Sequence, residues 1–370
     1  AEPVFTEQLG SDDPLERARA ALDLALYYLD RGFAPAGKTR AFRKAQDIVG
    51  EIGSEDLRSR VAAGTLTDLA GIGPSTGSVI SDAVDRRPSR YLADLASATV
   101  QDVGSGGGIR SLLRGDLHSH TFWSDGSESV ATMARSARAL GHEYLAVTDH
   151  SARLTVAHGL DEARLGEQLT EIEALNAELA PFRILTGMEV DILEDGRLDL
   201  SSEMLSRLDV VVASVHSKLA MDEREMTRRM VMAVADPDVD VLGHCTGRKI
   251  TGRGRPQSRF DADIVFAACA RFDTAVEINC RPERRDPPEE LTALALAWGC
   301  RVSIDTDAHA PGQLEWQAWG CGFAADMGID LNAGIEHANG TSIIAGIPSG
   351  GLMGGVLTRT VSFQATTDYA

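Results

Sequence analysis

Cysteine is scarce in this sequence, and its odd count and spacing argue against the two commonest structural uses of the residue. The five cysteines, Cys245, Cys269, Cys280, Cys300 and Cys321, are odd in number and contain no CxxC pair. A complete set of internal disulfides is therefore impossible, and reduced thiols in a cytoplasmic protein are expected. Long apolar runs are missing too. The nearest, residues 342–357, holds five glycines and a proline, which argues against a membrane helix. The opening AEPVFTEQLGSDD has no basic region followed by an apolar core, so no secretory signal is expected. Positive charge is in deficit: the net charge is −19, which disfavours non-specific attraction to nucleic acid. The deficit is uneven. Residues 1–110 carry 13 basic and 16 acidic side chains, and Arg31, Lys38, Arg40, Arg43 and Lys44 follow one another there with no acid between.

What is present supports two domains and a tail. The 370 residues exceed one average domain, and 43% of them are apolar, enough for a sizeable core. Residues 1–103 read as helical, with Leu15, Ala18, Leu22, Leu26 and Leu29 spaced by three and four; residues 40–52 and 57–61 continue the pattern. Residues 104–110, rich in Gly and Ser, read as a flexible linker. From there to residue 328 short apolar runs (115–118, 144–148, 184–192, 208–215, 239–243, 275–279, 301–305) alternate with amphipathic stretches (128–140, 161–179, 222–235, 261–271, 288–298). Strand and helix in alternation imply parallel pairing, and seven strands in about 200 residues suit a closed β/α barrel. Residues 329–370, rich in Gly, Thr, Ser and Ala, read as a low-complexity tail.

Polar residues then fall at strand ends. His118 and His120 leave the first strand, His150 the second, His216 the fourth, His244 the fifth, and Asp307 and His309 the seventh; Glu189 lies late in the third, and Asp125 follows the first. In α/β barrels chemistry is built at the carboxyl ends of strands. Alternate residues leaving a strand face one side, so His118 and His120 can grip one ion. Imidazoles and carboxylates suit Zn, Mn or Fe. Nine candidate ligands exceed the needs of one ion, so two or three close together, with a carboxylate bridging, are expected. Clustered ions lower the pKa of a water and neutralise phosphate oxygens, so no Ser, Cys or Thr nucleophile is required. Arg248, with Arg281 or Arg285, is the candidate for a phosphate site. His142, His158 and His337 read as structural or surface residues.

These segments resemble the polymerase and histidinol phosphatase (PHP) family. The likeness runs from Gly115 to about Gly328 through Asp-Leu-His-Ser-His, Trp-Ser-Asp-Gly, Leu-Ala-Val-Thr-Asp-His-Ser, Gly-Met-Glu-Val-Asp, Val-Ala-Ser-Val-His-Ser, Leu-Gly-His, Glu-Ile-Asn and Asp-Thr-Asp-Ala-His. The resemblance implies a distorted seven-stranded β/α barrel with three metals. One would be held by His118, His120, Glu189 and Asp307, a second by Glu189, His216 and His244, and a third by Asp125, His150 and His309. Gly-His-Cys-Thr-Gly-Arg and Glu-Ile-Asn-Cys-Arg-Pro-Glu-Arg-Arg-Asp are most similar to the PHP domain of bacterial family X DNA polymerases. That subgroup is linked to 3′-to-5′ exonuclease and 3′-end repair activities. The first hundred residues are similar to the helical DNA-binding domain of those polymerases, with Leu69-Ala-Gly-Ile-Gly-Pro resembling a helix-hairpin-helix turn. There Gly71 and Gly73 would bring backbone N–H groups to a phosphate, beside Lys38, Arg40, Arg43 and Lys44. Only about ten residues separate this region from the barrel, which leaves no polymerase palm and excludes nucleotide polymerisation.

The expectation is therefore hydrolysis of phosphoesters at DNA 3′ ends. A small-molecule phosphomonoesterase of the histidinol-phosphatase type is the alternative, and the acidic net charge favours it. A non-catalytic DNA-end-binding scaffold is the third reading, and the complete ligand set argues against it.

Overall fold

The computed structural model describes residues 2–329, so the tail expected from residue 329 and His337 fall outside the described residues from position 330 onward. Two compact units emerge, one of residues 1–101 with 310–315, the other of residues 102–309 continuing from Trp316. In the first, the helix Pro14–Arg31 is central. Asp13 caps it by accepting from the Leu15 N–H, and Pro14 occupies the first turn, where its missing N–H costs nothing. The predicted heptad-like leucines do face inward: Leu22, Leu26 and Leu29 join Phe42, Val49, Leu57, Val79 and Ile80 in one buried cluster. Arg17, buried, donates to the carbonyls of Ala83 and Val84, satisfying the end of the helix Pro74–Val84. Arg31, counted above with the basic run, is a structural residue. Its guanidinium donates to Thr99 and Ala96 and pairs with Glu315 at 3.2 Å.

The second unit is the barrel expected from the alternation. Its strands are β1 (Gly115–Asp116), β2 (Tyr144–Val147), β3 (Arg183–Asp191), β4 (Val210–Ser214), β5 (Val241–Leu242), β6 (Ala275–Asn279) and β7 (Val302–Asp305). They lie in chain order, and every neighbouring pair is parallel. A bridge between Ser119 and Ala308, just past β1 and β7, brings the two edges together. Residues of one parity, Tyr144, Ala146, Leu185, Val210, Val212, Val241 and Ala275, plug the interior, while Met188, Val190, Val211 and Leu242 pack outward on Met226, Met230 and Phe266 of the surrounding helices. Continuing the inward parity toward the strand ends reaches Glu189, His216, Glu277 and Asn279. Helices follow where caps permit: Ser129, Asp161, Asp222 and Asp261 each accept an N–H of the first turn.

The glycine-rich segment 104–110 corrects the linker expectation. Residues Gly104–Gly106 form a 3-10 turn that runs into the helix Gly107–Leu112. A Cβ on Gly106 would stand 2.2 Å from the Cys321 carbonyl carbon. Glycine is here for close backbone approach to the helix Gln317–Asp326 rather than for freedom.

Two stability measurements check this packing. Gly106→Ala is expected to cost about 1–3 kcal/mol by overpacking. Gly108→Ala, whose Cβ meets nothing within 4 Å, is expected to be neutral or stabilising by up to about 1 kcal/mol. Equal effects in urea unfolding would contradict the assignment. In the helical unit, burial raises the Asp23 carboxyl to about 6, against the Gln46 hydrogen bond and Arg19. A folded pKa above the ordinary 3.8 favours folding at low pH and loses that contribution as pH rises through 6. Asp23→Asn should therefore raise the thermal midpoint at pH 7 and leave it nearly unchanged at about pH 3.5.

Candidate metal centre

At the carboxyl rim of the barrel all nine expected ligands meet, with Glu189 in the middle. Its Oε2 lies 3.4 Å from His118 Nε2, 3.5 Å from His120 Nε2 and 2.9 Å from His150 Nδ1. The other oxygen, Oε1, lies 3.2 Å from His216 Nε2 and 2.9 Å from His244 Nε2. Asp307 Oδ1 stands 3.3 Å from His120 Nε2 and 4.0 Å from His118 Nε2. On the open side, Asp125 Oδ1 is 3.5 Å from His150 Nε2 and 3.3 Å from His309 Nε2. Three sets could each surround one ion: His120, Asp125, His150 and His309; His118, His120 and Glu189; His150, Glu189 and His216. The grouping differs from the expected one in detail. His120 reaches the Asp125 set, and His150 reaches the Glu189 set, because His120 and His150 stack at 4.4 Å between their ring centroids.

The donor atoms fit divalent ions. Nε2 of His118, His120, His216 and His244 and both oxygens of Glu189 are buried without a hydrogen bond, a condition rare in folded proteins unless a ligand completes it. Burial would raise the Glu189 carboxyl, but His216, His150 and His118 hold it well below the ordinary carboxylate range. Asp307 behaves alike: burial opposes, and Arg281 and His118 keep it low. Burial, reinforced by His309 and His150, keeps His120 neutral, the form in which imidazole donates to a metal. Backbone strain sits here as well, with φ of +21° at His244 and +52° at Asp307, conformations that L residues adopt only when their surroundings impose them.

Outer partners orient these ligands. Glu277 Oε1 lies 2.6 Å from His118 Nδ1 and Oε2 accepts the His244 N–H. Asp191 Oδ1 lies 3.4 Å from His216 Nδ1. Asn279 donates to Asp307 at 3.2 Å. Asp149 accepts from Thr121, Ser124 and Gln168 and braces the loop after β1. Glu277 and Asn279 were present in the quoted Glu-Ile-Asn segment without a role; their alternation on β6 was the signal that both face inward.

The arginines correct the expected phosphate site. Arg248 points its guanidinium at the carbonyls of Arg284 and Arg285, and Arg285 lies over the Trp319 ring at 4.9 Å. Arg281, the other candidate, does face the cluster, and Arg284, which was not expected, joins it. Arg281 Nη1 is 2.7 Å from His309 Nδ1 and donates to the Asp307 carbonyl at 2.8 Å, and Arg284 Nε is 3.5 Å from Asp307 Oδ2. His142 is buried against Arg110, His158 is exposed, and Cys245 is buried beside Asp286.

In the helical unit, Lys38, Arg40 and Lys44 are exposed on the helix Ala36–Glu51, and Arg43 lies 3.7 Å from Asp30. Gly71 has φ +111°, and a Cβ there would meet Lys44 Cε at 2.5 Å. The Gly73 N–H is not free for a phosphate as expected, because Thr76 Oγ1 accepts it at 2.9 Å at the start of the helix Pro74–Val84.

Glu277→Gln keeps the size of the side chain and removes the charge behind His118. It is expected to weaken divalent-ion binding about 10–100-fold in competitive chelator titrations, with the fold unchanged by circular dichroism. Unaltered affinity would assign Glu277 a packing role only.

The PHP domain model matches residues 116–261. A DNA polymerase/3′-5′ exonuclease PolX of Bacillus subtilis is 43% identical over 197 residues, 53% of this chain and 34% of that protein. This chain thus spans about a third of that relative. A probable phosphatase of Thermoanaerobacter sp. (strain X514) is 29% identical over 205 residues, 52% of this chain and 78% of that protein. A histidinol phosphate phosphatase from Lactococcus lactis, crystallised with zinc, L-histidinol and phosphate, aligns with a TM-score of 0.43 at 20% identity, covering 60% of this chain and 95% of that one. No described helix is long and apolar enough to cross a membrane. Residues 116–261 are therefore similar to PHP domains, and over this region the chain resembles relatives described as a probable phosphatase and as a DNA polymerase/3′-5′ exonuclease.

Proposed function

We propose that this chain hydrolyses phosphoesters at DNA 3′ ends, as a 3′-to-5′ exonuclease or a 3′-phosphatase, using two or three divalent ions of Zn, Mn or Fe. The observation that carries the reading is Glu189, whose two buried oxygens face five imidazoles and form no hydrogen bond. His118, His120 and Asp307 would hold an ion on one side of it, His216 and His244 on the other, and Asp125, His150 and His309 at the open edge. Bound there, such ions supply Lewis acidity to phosphate oxygens and make water more acidic.

The chain's own groups complete the site. Arg281, fixed by Glu283 at 2.9 Å, and Arg284 set positive charge beside Asp307 and His309, where they would orient a phosphate. Arg248 is a positioning residue, holding the loop that carries both. Two features favour DNA. The Bacillus relative named as a 3′-5′ exonuclease is 43% identical in this region, and the helical unit offers exposed Lys38, Arg40 and Lys44, the last beside the Gly71 turn. A phosphomonoesterase is the second reading, favoured by the likeness to probable phosphatases of which this chain covers 78%.

Metal-loaded protein is expected to release nucleotide or phosphate from 3′-labelled DNA. His118→Ala and Asp307→Ala should each lose at least about 10²-fold in rate. Absence of metal-dependent, variant-sensitive cleavage of any DNA substrate would overturn the reading. Faster turnover of histidinol phosphate than of DNA ends would replace it with the second.

A further inference from the structure

The loop after β5 does more than deliver His244. Beyond Gly247 the chain folds into a small hairpin: Lys249 and Arg255 exchange backbone hydrogen bonds at 2.9 and 2.8 Å, and Gly252 and Gly254, with φ of +65° and +67°, turn the tip around Arg253. The hairpin is tied to the loop after β6, where the Ile250 N–H donates to the Glu283 carbonyl. The Arg255 guanidinium donates to the Gly247 carbonyl and stiffens its base.

Charge is concentrated on these two segments. Residues 248–255 and 281–285 carry seven cationic side chains against the single carboxylate Glu283, in a chain whose net charge is −19. Lys249 and Arg253 are exposed. The cations crowd one another: burial first, then Arg284 and Arg255, press the Lys249 ammonium below its ordinary value, and burial followed by Arg284 does the same to Arg255. Crowded like charges are unfavourable until an anion joins them. They also form a series. Arg281 and Arg284 touch Asp307 at the cluster, Lys249 and Arg255 lie within electrostatic reach of Arg284, and Arg253 stands at the tip. A phosphomonoester is served by the two arginines at the cluster. Exposed Lys249 and Arg253, which continue outward, match a ligand with further phosphates.

We infer that the 249–255 hairpin is a phosphodiester-strand track, in which Lys249 and Arg253 bind backbone phosphates upstream of the one held at Arg281 and Arg284. This rests on the DNA-end reading and deepens it by naming the surface that selects a polymer over a monoester.

The test is anisotropy of the metal-loaded protein with labelled phosphorothioate DNA and RNA oligonucleotides, which resist hydrolysis, across a salt series. Lys249→Ala/Arg253→Ala is expected to weaken binding severalfold regardless of sequence. The slope of log affinity against log salt should fall by about 0.7 per phosphate contact removed from a single strand. Lys249→Glu/Arg253→Glu should weaken binding further, and Lys249→Arg should retain it, with folding checked by circular dichroism. Parallel DNA and RNA responses would make the track indifferent to the sugar; a DNA-only response would restrict it to DNA. Wild-type affinity and slope in the double variant, with DNA-end cleavage intact, would overturn the track alone. Failure of the unmodified protein to bind either oligonucleotide, while hydrolysing p-nitrophenyl phosphate, would overturn both the track and the DNA-end reading.

Discussion

A carboxylate buried among imidazoles, with neither oxygen hydrogen-bonded, is the constraint on which the rest of the barrel depends. Glu189 is nearly inaccessible to solvent at 1% exposure, and five histidines from four separate stretches of chain point at it. An anion so buried is costly unless positive charge surrounds it. The barrel meets that demand by closing. Only when β1 approaches β7, through Ser119 and Ala308, do His118 and His120 reach Asp307. The apolar plug beneath, from Tyr144 to Ala275, keeps water from the underside and fixes the height of the rim. The strained backbone at His244 and Asp307 belongs to the same economy, since packing on all sides holds conformations that an isolated chain would abandon.

Around this centre a second ring of acids decides which way each imidazole faces. Glu277 touches both His118 and the backbone of His244, and Asp191 stands behind His216. Ring orientation is therefore set from outside the cluster, and the Nε2 atoms converge inward. The open side is different in kind. Asp125 and His309 are the more exposed ligands, at 37% and 19%, and the arginines of the β6 loop flank them. Negative charge gathers inside the site and positive charge at its edge, an arrangement suited to an anionic substrate that must reach bound cations.

Much of this was legible in the residues. Seven apolar runs became seven strands, each within a residue or two of its expected span, because β-branched and apolar stretches bounded by capped helices leave few alternatives. The ligands could be placed because barrel geometry sends strand ends to one rim. What misled was side-chain direction in irregular segments. Arg281, Arg284 and Arg285 lie within five positions, and only the turn decides that the first two face Asp307 while the third lies over Trp319. Gly73 looked available to a phosphate, but its N–H is taken three residues on by Thr76.

The sequence by itself determined the order of strands and helices, the caps that start them and the chemical identity of the nine ligand-type side chains, since these follow from local periodicity and short-range hydrogen bonding. The tertiary structure alone decided that both Glu189 oxygens face imidazoles with no hydrogen bond, that Glu277 backs His118 across 159 positions, and that the Gly-rich segment at 104–106 is a packed turn. Those outcomes depend on long-range closure and on clearances of a few tenths of an ångström, which no local pattern encodes.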